Sequence, residues 1–515
     1  MKRLEFLKRA SLGAAGLTLS SPARANLAIS HGKDAKPRRQ ARATARVKTI
    51  LSFATEAAHA PEDYDFIKAI AQFLSGEKLV GNFHLTGDYA RALKRHGRMD
   101  VVEALQRHEI GYHCNHHGSK PFMAGYLESY PWDEALARWM SNEVPGLAAV
   151  AELVNRRPVY YTTEFTKAPQ AVYGSALLGA GMIGYSAIPM REHSAVWFCN
   201  SFVPTVENSV ALESFHAPGD RETAARERLA AGIAKQLASR KDVLRIFLHS
   251  YKYYAEPPYD RMSMTREIYK NDALYFEDYP TDAPRQAPER FRQSFEMFKR
   301  TIRHHARQTE FVTFSQYREE FKENTGTWID LQELDRICGF MEQAIDAYGT
   351  DTLSVSPAEV FGVVIRVLRV WHETGHLPAK VFVRNLIGPR APVAEEPVSH
   401  TAAFQAIAGL LPALDRDIEI SGAMPATVVV GDVQVGPGQL LRGLLKLYAD
   451  IRAGRPQGDV RLSGENLPLI AKEPYFQTTS YTRIGKYPDD FTGKNICALS
   501  RAQSWSWKPA VRRSA

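Results

Sequence analysis

Between Val47 and about Glu323, short apolar runs alternate with amphipathic stretches of helical period. Val47–Phe53, Leu79–Leu85 and Val243–Leu248 are apolar enough to be buried strands, and the last runs directly into His249. Arg157–Tyr161, Ile183–Ser186 and Glu310–Phe314 read as shorter strands. Asp63–Leu74 places Phe66, Ile67, Ile70 and Phe73 on one helical face, and Asp100–His108 and Phe291–Ala306 are amphipathic in the same way. Trp132 and Trp139 stand at helical spacing and read as core, while Asp63 and Asp65 fall at a helix start, where an acid caps or meets the first-turn dipole. Strand–helix alternation predicts an α/β fold with a mainly parallel sheet, open or closed into a barrel. Its chemistry is expected beyond the carboxyl ends of the strands. Glu56, His113 and His249 each follow a predicted strand.

From about residue 350 to 465 the pattern becomes a repeat. Val355-Ser356-Pro357, Val398-Ser399-His400 and Val435-Gly436-Pro437 each open an amphipathic helix, with Phe361, Phe404 and Leu441 at equivalent early positions. The helices are expected to end at Gly375, Gly422 and Gly454 as left-handed caps. Each is followed by a proline (Pro378, Pro425, Pro456) and, in the first two copies, by an extended run, Val381–Val383 and Val428–Val430. One helix–strand unit cannot bury its own face, so the copies are expected to pack together as a small, mainly helical domain. Residues 466–515 carry no further pattern.

A chain of 515 residues is too long for one core. With 44% hydrophobic and 24% charged residues its composition is that of an ordinary globular protein. The formal charge of +8 is unevenly placed: residues 1–25 hold five cations against Glu5, and residues 26–45 form a basic linker. The remainder is close to neutral, which argues against a nucleic-acid face. The positive start, the small apolar run Ala10–Ser20 and Ala23-Arg24-Ala25 form an export signal with Asn26 as the expected mature start. Arg3-Leu4-Glu5-Phe6-Leu7-Lys8 resembles the twin-arginine signal, with Leu4 where the second arginine belongs. No later segment is apolar enough for a transmembrane helix, so a periplasmic or envelope location is expected. The four cysteines (Cys114, Cys199, Cys338, Cys497) form no Cys-x-x-Cys unit, and the sequence leaves their pairing open.

The stretch with most chemistry is Tyr112-His113-Cys114-Asn115-His116-His117-Gly118. Imidazoles four apart, His113 and His117, can converge on one divalent ion, zinc foremost, with His116 in reserve. Cys114 is not expected to join them. Tyr251, Tyr253 and Tyr254 after His249 could stack on sugar rings or pack loops together. His372 and His376 have no third ligand in sequence reach and are not read as a metal site.

Residues 46–325 resemble the polysaccharide deacetylase (NodB homology) superfamily. The likeness rests on Ile50–Phe53, on Gly111-Tyr112-His113 through His117, on Lys167-Ala168-Pro169 with Tyr173-Gly174 and Gly184-Tyr185, and on Phe247-Leu248-His249-Ser250. It implies a distorted (β/α)7 barrel and a metal-dependent hydrolase that removes acetyl groups from an N-acetylated envelope polysaccharide such as peptidoglycan. It further implies His113 and His117 as metal ligands, His249 as general acid and Lys167 in the place of the family's arginine. The family's two adjacent acids are replaced here by Ala54 and Thr55, and Glu56 stands where a variant glutamate occurs. Glu56 either completes the metal site or acts as the base, with histidines alone, including His59 or His116, around the ion. Two alternatives stay open: a catalytically degenerate glycan-binding protein, and a hydrolase of a non-peptide C–N bond in a small molecule. The repeat at 350–465 resembles pseudomurein-binding repeats, Trp371–Val383 and Met424–Gly431 being the nearest copies, which implies attachment to a cell-envelope polymer.

Overall fold

Parallel pairing dominates the first half of the molecule, as strand–helix alternation requires. The computed structural model describes residues 47–55, 61–116, 123–162, 168–182, 193–205, 209–212, 221–238, 243–250, 287–394, 399–455, 458–477 and 491–513. The first ten strands are β1 (Val47–Thr55), β2 (Asn82–Leu85), β3 (Glu109–Tyr112), β4 (Tyr160–Tyr161), β5 (Gly181–Met182), β6 (Ala195–Phe198), β7 (Ser201–Pro204), β8 (Ser209–Ala211), β9 (Val243–His249) and β10 (Thr309–Phe311). One sheet runs β5-β4-β3-β2-β1-β9-β8, with β10 beside the start of β1, and every pairing in it is parallel. β1 lies at the centre and is buried along almost its whole length, which explains why its sequence is a continuous apolar run.

Helices Pro61–Gly76, Trp132–Val154 and Pro288–Ala306 cover the sheet with faces that include Phe66, Ile67, Ile70, Trp139 and Phe298. Trp132 and Trp139 are core residues, as their spacing predicts, and Asp63 lies in the first turn of its helix, itself buried. A helix at Gly87–Arg95 was not read from the sequence; Thr86 caps it through its side chain. β6 and β7 form a hairpin turned by Cys199 and Asn200, both at positive φ. The expected strand Ile183–Ser186 lies outside the described residues.

The second core is built on helices Leu331–Gln343, Pro357–Thr374, Phe404–Ser421 and Pro437–Arg452. Its strands are β11 (Thr327–Asp330), β12 (Tyr348–Gly349), β13 (Ser354–Val355), β14 (Lys380–Val383), β15 (His400–Ala402), β16 (Val428–Val430), β17 (Val433–Val435) and β18 (Val460–Leu462). Gly375, Gly422 and Gly454 are all left-handed at the helix ends. The second helix begins at Phe404, after the strand β15, rather than at Ser399. Its N-cap Ala403 therefore matches Ser356 and Gly436. An extended run also follows the third helix, as β18.

Residues Arg46–Ala515 form one compact unit, and the stretch that showed no pattern joins its two cores. Helix Lys494–Gln503 packs on the first core through Ile496, while Trp505 is enclosed in the second, its indole N–H donating to the Asn466 carbonyl at 3.2 Å. Gln503 accepts from the Gly388 N–H (3.0 Å) and donates to the Pro389 carbonyl (2.9 Å). β19 (Lys508–Pro509) then pairs antiparallel with β6. The Lys508 ammonium meets the Glu359 carboxylate at 2.6 Å in a buried ion pair. No helix among the described residues is long and apolar enough to cross a membrane, and no cysteine among the described residues is in a disulfide.

Candidate active site

At the carboxyl edge of the sheet, strand register sets one row across the central strands: His249 on β9, Ala54 on β1, His84 on β2 and Gly111 on β3. The two positions where paired acids were sought carry no carboxylate chemistry. Ala54 is a buried methyl, and the Thr55 hydroxyl donates to the His84 carbonyl at 2.6 Å.

Beneath this row lies a buried polar network that sequence reading missed. The Arg245 guanidinium donates to Ser52 Oγ through Nε (3.2 Å) and Nη2 (3.0 Å). Ser52 Oγ lies 2.7 Å from His84 Nε2, and His84 Nδ1 lies 2.8 Å from Thr162 Oγ1. A guanidinium can only donate, so the Ser52 hydroxyl accepts from it and turns its own hydrogen to His84 Nε2. His84 is then neutral with its proton on Nδ1. Burial pushes its pKa well below the usual histidine value, and the charges of Arg245, His113 and His249 push the same way. On β9, Arg245, Phe247 and His249 alternate onto one face, with guanidinium and imidazole 5.7 and 5.6 Å from the intervening ring. A charged residue inside the apolar run Val243–Leu248 was the available signal for this column.

Thr162 connects the network to the rim. Its carbonyl lies 2.6 Å from His113 Nδ1, and a carbonyl can only accept. His113 Nδ1 therefore donates to it, so Nε2 is the ring nitrogen that a metal ion would take. This carbonyl–histidine arrangement is what orients imidazole ligands at metal centres.

The loop after β3 is clamped on two sides. Gly87 N–H donates to the Cys114 carbonyl (2.9 Å) and Asp88 N–H to the Asn115 carbonyl (3.1 Å). On the other side, Glu143 Oε2 accepts from the Asn115 N–H (2.9 Å) and the Tyr112 hydroxyl (2.8 Å). Asn115 Nδ2 donates to the Asn142 carbonyl at 2.7 Å. A Cβ at Gly146 would stand 2.7 Å from Asn115 Cα, so only glycine lets the Trp132–Val154 helix approach this closely. His116 is held by Asp88, its Nδ1 at 2.9 Å from Oδ1, and Arg91 pairs with the same carboxylate. Burial alone would raise the Asp88 pKa, but the hydrogen bonds and charges of His116 and Arg91 hold it below the ordinary carboxylate value. Cys114 is buried.

Among the sequence-predicted site residues, His113 and His249 are thus at the same edge of the sheet. Glu56, His59, His117, Lys167 and the tyrosines after His249 lie outside the described residues. Among the described residues no group of three or more His, Cys, Asp or Glu side chains could hold a metal ion. The donor chemistry of His113 fits one ligand of such a site.

No protein-family model matches the chain, and no curated protein matches it. Solved structures that resemble it in part include three family 4 carbohydrate esterase proteins. A pseudoenzyme of that family from Bacillus anthracis is 10% identical, with 52% of this chain and 65% of that chain covered and a TM-score of 0.28. A Streptococcus mutans esterase is 11% identical over 52% of this chain and 86% of its own, with a TM-score of 0.31. A Streptomyces lividans esterase in complex with acetate is 9% identical over 52% and 91%, with a TM-score of 0.27. Likeness at this level says nothing of activity, and the functional reading rests on the chain's own residues.

Proposed function

We propose that the protein is an exported, metal-dependent hydrolase that removes acetyl groups from an N-acetylated envelope polysaccharide. The observation that carries this reading is the hydrogen bond from His113 Nδ1 to the Thr162 carbonyl, which orients this imidazole at the same carboxyl edge of the parallel sheet as His249. His113, His117 and Glu56 would hold a divalent ion, zinc foremost. Such an ion would polarise the acetyl carbonyl and acidify water. The remaining work belongs to side chains. His249 protonates the departing amine and Lys167 supplies positive charge; where histidines alone hold the ion, Glu56, directly after β1, is the acid that accepts the proton from water. Thr162 and Glu143 keep the His113 loop in place, so the donor atom does not have to be ordered when substrate arrives.

The region 350–465 is proposed to attach the enzyme to the same polymer. A second reading, a glycan-binding protein without hydrolysis, is favoured by one specific observation: the Thr55 hydroxyl is committed to the His84 carbonyl and Ala54 is a methyl, so β1 itself supplies no base.

The test is elemental analysis of purified wild type and His113→Ala, together with acetate release from chitooligosaccharides and peptidoglycan fragments. A stoichiometric ion lost in His113→Ala, and acetate release abolished in Glu56→Ala and His249→Ala, support hydrolysis. An ion-free wild type that refuses added zinc rejects it.

A further inference from the structure

Beside the second core, Trp328 is the one tryptophan among the described residues that is exposed, with 66% of it facing solvent. It lies on β11, whose partner β14 places Phe382 directly opposite, with ring centroids 5.4 Å apart. The ribbon is not loose. Ile329, Val381 and Val383 on its other face are buried in the second core. Arg366 donates to the Phe382 carbonyl at 3.2 Å, and Gly326 lies so close to the Phe382 ring that a Cβ there would overlap it. Strand periodicity brings a second cross-strand pair, Asp330 and Lys380, onto the same outer face as the rings. Asp330 Oδ1 accepts from the Glu333 N–H at 2.8 Å, which leaves Oδ2 for another donor.

We infer that the outer face of the β11–β14 ribbon binds a pyranose polymer, with Trp328 and Phe382 stacking on one or two sugar rings and Asp330 and Lys380 meeting the hydroxyl and acetamido groups at their edge. This rests on the glycan substrate proposed above and assigns a holding site distant in sequence from the hydrolytic one. Size decides between a sugar and a protein partner. An aromatic side chain buries about 150–250 Å², whereas a stable protein interface needs about 800 Å² on each side. Two rings beside an acid–base pair match the C–H face of a pyranose and fall well short of a protein interface.

The experiment is native affinity electrophoresis of the full chain in gels cast with glycol chitin, comparing wild type with Trp328→Ala, Trp328→Phe and Lys380→Ala. Trp328 is on the surface, so unchanged circular dichroism melts are expected for all variants. Retardation of the wild type, weakened about tenfold or more in Trp328→Ala and partly restored in Trp328→Phe, is the predicted result. Equal retardation of wild type and Trp328→Ala overturns the assignment and leaves the hydrolase reading intact. Absence of wild-type retardation also overturns it, whatever the acetate assay gives. A wild-type dimer in sedimentation equilibrium that becomes monomeric in Trp328→Ala would show the face to be a protein interface, and would likewise overturn it.

Discussion

Replacing Glu143 with leucine removes the carboxyl group that holds the loop bearing His113 while keeping a side chain of comparable bulk. Glu143 is buried, and its Oε2 accepts from both the Asn115 N–H and the Tyr112 hydroxyl. Tyr112 keeps a second acceptor, the Glu143 backbone carbonyl at 2.9 Å, so its loss is partial. The Asn115 N–H has no such reserve at that distance, and a stranded buried donor costs about 1–3 kcal/mol. With the weakened tyrosine bond, Glu143→Leu is expected to cost about 3 kcal/mol. Urea unfolding followed by circular dichroism reads this as a lower midpoint at unchanged slope. Zinc titration of the same variant is expected to show weaker binding, because loss of a group that orients a ligand typically costs 10–100-fold in affinity. A loss below about 1 kcal/mol with unchanged zinc affinity would refute the claim that this clamp shapes the loop.

Gly146→Ala pushes a methyl against the Asn115 backbone and is expected to destabilise by about 1–3 kcal/mol, measured by the same unfolding assay. Lys508→Met strands the buried Glu359 carboxylate and should cost about 3–5 kcal/mol, partly recovered when Glu359→Gln is added; equal stability of the two variants would argue against the pair. His305 is buried, with its pKa lowered to about 4 by desolvation and then by His304. It binds a proton more readily unfolded than folded, so its contribution is complete above about pH 6.5 and declines as pH falls toward 4. About 2 kcal/mol should be gone by pH 5, and His305→Phe should flatten the fall in urea midpoint between pH 7 and 5. Burial raises the thiol pKa of Cys199 and Cys338, so a disulfide-exchange reagent should label the half-buried Cys497 first and leave those two unreacted until unfolding.

Legibility in the sequence followed the range of the interactions concerned. β1 and β9 could be read because a strand buried on both sides must be apolar throughout; of the shorter run Arg157–Tyr161 only the last two residues form β4, and β5, two residues long, leaves no period to detect. His113 stood out through its neighbours. His84 did not, since a single histidine in a short strand has no spacing to mark it, and its partners Ser52 and Thr162, with Arg245 bound to Ser52, come from three other segments. The repeat helices were legible from their glycines, but Ser399 misled on the second N-cap, because the intervening strand β15 takes up the residues before Phe404. Trp505 and Lys508 had no local pattern at all: their partners, Asn466 and Glu359, lie 39 and 149 residues away.

That last linkage bears on how the molecule comes into being. During synthesis, β6 emerges about three hundred residues before β19 exists to cover its free edge, and Trp505 arrives after every helix it is to plug between. Until then both halves carry an open flank, a strand with one uncovered edge on one and an unfilled hole on the other.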